Sequence, residues 1–216
     1  MGARAGRALA VKLPSPPLLV ISDRSQAKRP LPEVAAAAFR GGCRWFSLRE
    51  KELPAGGRRE LLRALLALGR DHGATVTVHD DIEAAVATGA GGVHLPGGGD
   101  PAAARRRLPD GLIGVSAHSP QEAAAQLAAG SDYVTLSPIF LTESKPGYGP
   151  AVGLDALAEA ARLSDGPIVA LAGIDATNLA ACLGAGAGGI AVMGEIMRAA
   201  DPETAVRRLI AAFDGN

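Results

Sequence analysis

Aromatic side chains are scarce: Phe, Trp and Tyr together make up 3% of the 216 residues. The core must therefore be built from Ala, Val, Leu and Ile, which suits alternating parallel strands and helices better than an aromatic-rich sandwich. Cysteine is nearly absent, and Cys43 and Cys182 show neither CxxC nor metal-ligand spacing. A disulfide scaffold and a cysteine zinc site are excluded, leaving two reduced thiols and the expectation of a cytoplasmic location. Net charge is missing as well, with 22 Lys and Arg balanced by 22 Asp and Glu, so neither nucleic acid nor an anionic membrane is expected as partner. No stretch approaches the ~18 apolar residues of a membrane span. Residues 1–17 hold Arg4, Arg7 and Lys12 but only a short apolar run before Pro14, too short for a secretory segment. They are expected to form a flexible leader to one domain over residues 18–216. Gly6 stands where a myristoylation signal needs Ser or Thr.

What is present is a globular composition, 48% hydrophobic and 20% charged. Eight short β-like runs recur: Leu18–Asp23, Trp45–Arg49, Thr75–Asp80, Gly92–Pro96, Leu112–His118, Tyr133–Ile139, Ile168–Gly173 and Gly189–Gly194. Helical stretches lie between them, among them Arg58–Asp71, Pro120–Ala129, Leu154–Leu163 and Thr204–Phe213. Ser119-Pro120 and Asp201-Pro202 read as helix starts. Strict alternation with apolar strands predicts a parallel sheet, and eight units predict closure into a single (β/α)8 TIM barrel. An open doubly wound sheet is the alternative fold, but no GxGxxG follows the first strand.

Barrel chemistry sits at the C-terminal ends of the strands. Those ends carry Ser22-Asp23, Arg49-Glu50-Lys51, His79-Asp80-Asp81, His94, Ser116 with His118, and Ser137, with Thr142, Ser144 and Lys145 beyond strand six. The opposite ends are mostly Gly, Ala and Pro, so the polar residues mark a site. Gly173 and Gly194 close the last two strands, where backbone N–H groups can approach a phosphate; each alone would also suit a tight turn. Arg49, Lys51 and Lys145 add positive charge for phosphate oxygens. Asp80 is a candidate Mg²⁺ ligand or, alternatively, part of a helix start at Asp81. His118 is a candidate general acid or base, with a buried structural histidine as the competing reading. His94 reads as a packed, hydrogen-bonded interior residue, and His72 carries no functional signal.

In order, these segments resemble the thiamine phosphate synthase/TenI family. The resemblance rests on Leu18–Asp23, Ser47-Leu-Arg-Glu-Lys51, Val78-His-Asp80, Gly92-Val-His-Leu95, Ile113-Gly-Val-Ser-Ala-His-Ser119, Asp132-Tyr-Val, Pro138–Lys145, Ala170–Ile174 and Ile190–Met193. It implies one of two chemistries on a carboxythiazole phosphate. A synthase would join it to a hydroxymethylpyrimidine diphosphate, with Mg²⁺ as cofactor and pyrophosphate as leaving group. A TenI-like tautomerase would shift a proton to make the thiazole aromatic and needs no metal. The resemblance assigns Arg49, Lys51 and Lys145 to pyrophosphate, His79 to substrate binding, Asp80 to Mg²⁺ and Ser116 to the pocket. Thr142, Ser144, Gly173 and Gly194 would take the thiazole phosphate, and His118 would act as the tautomerase acid/base. A homo-oligomer would be unsurprising in this family.

Three departures bear on the choice. Ser47 replaces a glutamine, His79 an asparagine, and Pro96-Gly97-Gly98-Gly99 stands where synthases have Gly-Gln-Glu-Asp, removing a second metal carboxylate. Asp100 lies one residue further on and could substitute for it. A leaving pyrophosphate depends on Mg²⁺ far more than a proton shift does, so the expectation is a tautomerase, with the synthase as alternative. A regulator that kept the pocket without the chemistry, or another phosphate-binding barrel such as a sugar-phosphate isomerase, is the remaining class.

Overall fold

The structure, a computed structural model, describes residues 12–142 and 150–214. Eight parallel strands pair in chain order and close into a barrel: β1 (Leu18–Ile21), β2 (Trp45–Leu48), β3 (Thr75–His79), β4 (Gly92–Leu95), β5 (Leu112–Ala117), β6 (Tyr133–Leu136), β7 (Ile168–Leu171) and β8 (Gly189–Val192). Closure is the β1–β8 ladder, which pairs Leu18 with Ile190 and Val20 with Val192. Helices surround the barrel as α1 (Leu31–Arg40), α2 (Ala55–Arg70), α3 (Ile82–Thr88), α4 (Pro101–Arg107), α5 (Pro120–Ala128), α6 (Gly153–Leu163), α7 (Leu179–Gly184), α8 (Gly194–Met197) and α9 (Pro202–Asp214). The expected TIM barrel is the observed fold.

The expected strands stop earlier than their apolar runs, because ladder pairing ends at Ile21, Leu171 and Val192 and the chain then turns into loops. The second expected helix starts at Ala55 rather than Arg58: Pro54 adopts an extended conformation that opens the helix, and Gly56 and Gly57 are tolerated in its first turn. Ser119 caps α5 by accepting from the Glu122 N–H at 3.2 Å. Asp201 likewise accepts from the Thr204 N–H at the start of α9.

Alternation along the strands sorts the side chains into two layers. Leu18, Val20, Phe46, Leu48, Val134, Leu136, Ile190 and Val192 face the helices and share one buried cluster with Val34, Leu62, Leu157 and Leu209. Leu19, Ile21, Trp45, Tyr133, Val169 and Ala191 face the barrel interior. Trp45 and Tyr133 dominate that interior, packed edge to face with centroids 4.7 Å apart. Gly114 makes room for them: a Cβ there would lie 2.0 Å from the Tyr133 ring.

The segment before β1 is not a free leader over its described length. Leu13 packs against the interior cluster, and Pro17 accepts the Ile190 N–H at 2.9 Å, so residues 13–17 seal the N-terminal end of the barrel. No helix among the described residues is long and apolar enough to cross a membrane.

Gly114 generates a stability prediction. Gly114→Ala must push the Tyr133 ring, which also packs against Trp45, and should cost about 1–3 kcal/mol or more in urea unfolding. Gly56→Ala, in the first turn of α2 with nothing within 4 Å of the added carbon, should be neutral or stabilising by up to about 1 kcal/mol. Equal stabilities would show that the ring is free to move.

Candidate active site

A cavity of about 410 Å³ opens at the C-terminal ends of the strands. Arg49, Lys51, His79, Asp80, Ser116, His118, Thr142, Gly173 and Gly194 all line it. Ser144 and Lys145 lie outside the described residues.

The cationic side is built by Ser22 and Glu50. Ser22 Oγ accepts the Arg49 N–H at 2.8 Å and donates to the Glu50 carboxylate. Glu50, only 2% exposed, also accepts the Arg24 N–H at 3.1 and 3.2 Å. Burial raises its pKa above the usual range against the opposing pull of these bonds. Glu50 thus anchors the loop after β2 from behind, while its neighbours Arg49 and Lys51 line the cavity. Ser47, at the position of the family glutamine, is wholly buried and accepts from Thr77 Oγ1 at 2.8 Å. It stabilises the interior and does not line the cavity.

On β3 the two aspartates that follow His79 divide their work. Asp81 caps α3, accepting from the Ala84 N–H at 2.8 Å, and pairs with Arg58 at 2.7 Å. Asp80 is released from capping and turns at φ 53°, a left-handed conformation that Asp tolerates better than most residues. It lines the cavity, as do Asp175 and Glu195 beside the glycine turns.

The loop after β4 differs from what the spacing alone allows. Asp100 is not brought to the cavity: its Oδ1 accepts the Ala103 N–H at 2.9 Å as the cap of α4. A side chain at Gly99 would meet Leu95 Cβ at 2.7 Å, so an aspartate does not fit there without displacing the strand end. Gly97 has ordinary contact room, since a Cβ there would lie 4.0 Å from His118 Nε2. Among the described residues no cluster of three or more His, Cys, Asp or Glu could hold a metal. Asp80 alone is not a protein cage for Mg²⁺, an ion usually held by one or two carboxylates and completed by substrate phosphates and water.

His118 is held at both ends. Its backbone N–H donates to Glu122 Oε2 at 2.8 Å, and its Nδ1 donates to the Ser137 carbonyl at 2.9 Å. In the neutral ring Nε2 is then the acceptor, which suits it to take a proton. Below it, His94 is 2% exposed, with Nδ1 3.0 Å from Tyr133 Oη and Nε2 2.9 Å from Ser116 Oγ. Burial, with smaller contributions from Arg49 and Lys51, pushes its pKa down to about 3. His94 is therefore neutral at physiological pH.

The opposite wall is apolar at its floor, with Ile21, Leu171, Ala191 and Met193, and glycine-lined at its rim. Gly173 turns at φ 66°, and a Cβ there would lie 2.6 Å from the Leu141 carbonyl. Ala172 before it is forced to φ 83°, an uncommon conformation for alanine. Asn178 braces this turn, donating to the Gly173 carbonyl at 2.9 Å and accepting the Asp175 N–H at 3.0 Å. Sequence reasoning missed Asn178, and it missed Arg198, a further cation lining the cavity that donates to Gln26 Oε1. The run Gly173–Asn178 resembles any polar turn, and only its closure onto β7 reveals the role.

Comparison with known proteins agrees with this geometry. The family model for thiamine monophosphate synthase matches residues 18–196. A thiamine-phosphate synthase of a Roseiflexus species is 40% identical over 197 residues, covering 90% of this chain and 84% of that protein. One of Anaeromyxobacter dehalogenans is 43% identical over 182 residues, covering 83% of this chain and 82% of that protein. In structure, the thiamine phosphate pyrophosphorylase of Pyrococcus furiosus superposes with a TM-score of 0.83 at 30% identity, covering 92% of this chain and 95% of that one.

The depressed pKa of His94 predicts a specific acid sensitivity. The unfolded chain protonates this histidine near pH 6.5, whereas the folded chain resists until about pH 3. Stability is fully present above the unfolded pKa and falls by about 1.4 kcal/mol per pH unit below it. Urea midpoints of the parent should therefore drop more steeply from pH 6 to pH 4 than those of His94→Gln. Parallel slopes would show that His94 is already protonated in the folded state.

Proposed function

The chain is an enzyme of the thiamine phosphate synthase/TenI family, and we propose that it is a synthase, joining a hydroxymethylpyrimidine diphosphate to a carboxythiazole phosphate with release of pyrophosphate and carbon dioxide. The observation that carries this reading is that Arg49, Lys51 and Asp80 line the same cavity as Gly173 and Gly194. A proton shift on one monophosphate needs the glycine side and an acid/base such as His118, but not Arg49, Lys51 or Asp80. A cavity with a cationic, carboxylate-bearing side facing a glycine-rimmed side suits two phosphorylated substrates. The relatives named thiamine-phosphate synthase favour the same reading over the tautomerase expected from the Pro96–Gly99 departure.

In this reading Arg49 and Lys51 hold the diphosphate, with Lys145 as a further expected contact. Their charges are worth most as the C–O bond to the diphosphate lengthens and negative charge gathers on its oxygens. Asp80 would hold Mg²⁺ against those oxygens, where the ion would supply additional charge neutralisation. The thiazole phosphate would sit against the Gly173 and Gly194 turns, with Thr142 and Ser144 beside it. The thiazole nitrogen would then form the C–N bond as the C–O bond to the diphosphate breaks, and loss of the ring carboxylate as CO2 would complete thiamine phosphate. The floor of Ile21, Leu171, Ala191 and Met193 keeps water from the carbon that becomes cationic. His118 keeps one observation in favour of tautomerase chemistry, an acceptor nitrogen at the cavity wall fixed by Ser137.

The two readings separate in one assay. Purified protein given both substrates and Mg²⁺ should release pyrophosphate and form thiamine phosphate. Lys51→Ala should lower kcat/KM by about a hundredfold, the scale for losing one charge-stabilising donor. Asp100→Asn, which preserves the α4 cap, should leave the rate unchanged. Aromatisation of carboxythiazole phosphate without pyrophosphate release, abolished by His118→Ala, would instead establish the tautomerase.

A further inference from the structure

Tyr133 lies beneath the cavity and lines none of it, yet its hydroxyl connects to a side chain that does. The ring crosses the face of Gly114, the residue it faces across the β5–β6 pair, where a Cβ would lie 2.4 Å from the hydroxyl. Trp45 packs against the ring edge to face, centroids 4.7 Å apart. The hydroxyl reaches His94 Nδ1, 3.0 Å away. The second ring nitrogen, Nε2, is 2.9 Å from Ser116 Oγ and 3.4 Å from Thr135 Oγ1. Ser116 lines the cavity.

The proton positions follow from donor and acceptor bookkeeping along this chain. A wholly buried phenol that donates to nothing is disfavoured, and His94 Nδ1 is the acceptor within reach among the described residues. The phenol therefore donates to Nδ1, which leaves the ring proton on Nε2. Nε2–H then donates to Ser116 Oγ and occupies one of its lone pairs. The Ser116 proton, turned away from the imidazole, is left to point into the cavity. In the reverse arrangement Ser116 would give its proton to His94 and offer the ligand only a lone pair.

We propose that Tyr133 is a positioning residue that acts through His94 to fix Ser116 as a hydrogen-bond donor to an acceptor atom of the bound substrate. The spacing of Tyr133, His94 and Ser116 comes from register across β4, β5 and β6, so a substitution at the hidden end changes the polarity of the group at the exposed end. The catalytic consequence rests on the synthase reading, while the tautomer does not.

Two measurements test it. In ¹⁵N NMR of the histidine-labelled protein, His94 should be protonated at Nε2, and Tyr133→Phe, which keeps the ring and removes the hydroxyl, should shift it toward the Nδ1-protonated form. A parent spectrum showing Nδ1–H overturns the proposal whether or not the variant folds, and an unchanged variant spectrum does so too. In the pyrophosphate-release assay, Tyr133→Phe should lower kcat about tenfold, the scale of one hydrogen bond, with KM nearly constant. Ser116→Ala should lower it at least as much. The relay requires the double variant to be no slower than Ser116→Ala alone; His94 also lines the cavity, and a direct contact from it to the substrate would make the losses multiply. Multiplicative losses would overturn the relay. A parent that releases no pyrophosphate at all removes the synthase reading and leaves the NMR result to decide the relay.

Discussion

Closure of the sheet through the β1–β8 ladder is the constraint on which the rest of the structure depends. A closed parallel barrel has no edge, and every second residue of each strand must point into a fixed interior volume. That volume is filled unevenly in this chain. Trp45 and Tyr133 supply most of the bulk from two strands, so neighbouring positions must be small, as at Gly114, Ser47 and Ala191. The scarcity of aromatics is thus compatible with a full interior because two of the largest present are concentrated there. Residues 13–17 then close the end away from the site, with Leu13 against the same cluster.

The interior also has a polarity, and it sets the chemistry above it. Under β3 to β6 the inward positions carry Thr77, His79, His94, Ser116 and Thr135, whereas under β7, β8 and β1 they carry Val169, Leu171, Ala191, Leu19 and Ile21. A buried polar stripe is stable only if its members satisfy one another. Thr77 with Ser47, and Tyr133 with His94 and Ser116, meet that demand. The cavity inherits the asymmetry as one wall that can hydrogen-bond a substrate and one that can exclude water. Neither wall is a surface feature; both are the upper layer of a packed core.

Much of this is legible in the sequence because barrel strands advertise themselves twice. Their apolar runs mark the eight units, and polar residues appear just where each run ends. His118, Ser116, Arg49, Lys51 and Asp80 stand out that way, and all line the cavity. What one strand cannot show is which residue of the next strand it faces. The Tyr133–His94 contact spans 39 positions and depends on register, so a tyrosine at a strand start gives no hint of a role in the site. Asp100 shows the opposite difficulty. A carboxylate at nearly the right spacing is indistinguishable by eye from a metal ligand, yet Asp-Pro is also a helix start, and here the backbone N–H of Ala103 takes it.

The same loop bears on how a synthase could work with fewer carboxylates. The Pro96–Gly99 run does not merely delete a ligand. Gly99 packs so closely on Leu95 that an aspartate there is sterically excluded, so the loop has settled into a path that serves α4 instead of a metal. Asp80 is the carboxylate left on that side, with Asp175 and Glu195 lining the cavity beside the glycine turns, and Mg²⁺ is usually bound by few protein groups and completed by substrate and water. Positive charge must then do more of the work of holding that substrate. Arg49 and Lys51 come from a loop pinned by buried Glu50, and Arg198 stands at the C-terminal end of α8, lining the same cavity as the glycine turns. Fixed cations on two sides of the cavity need no reorganisation as charge develops, which is where electrostatic stabilisation is most effective.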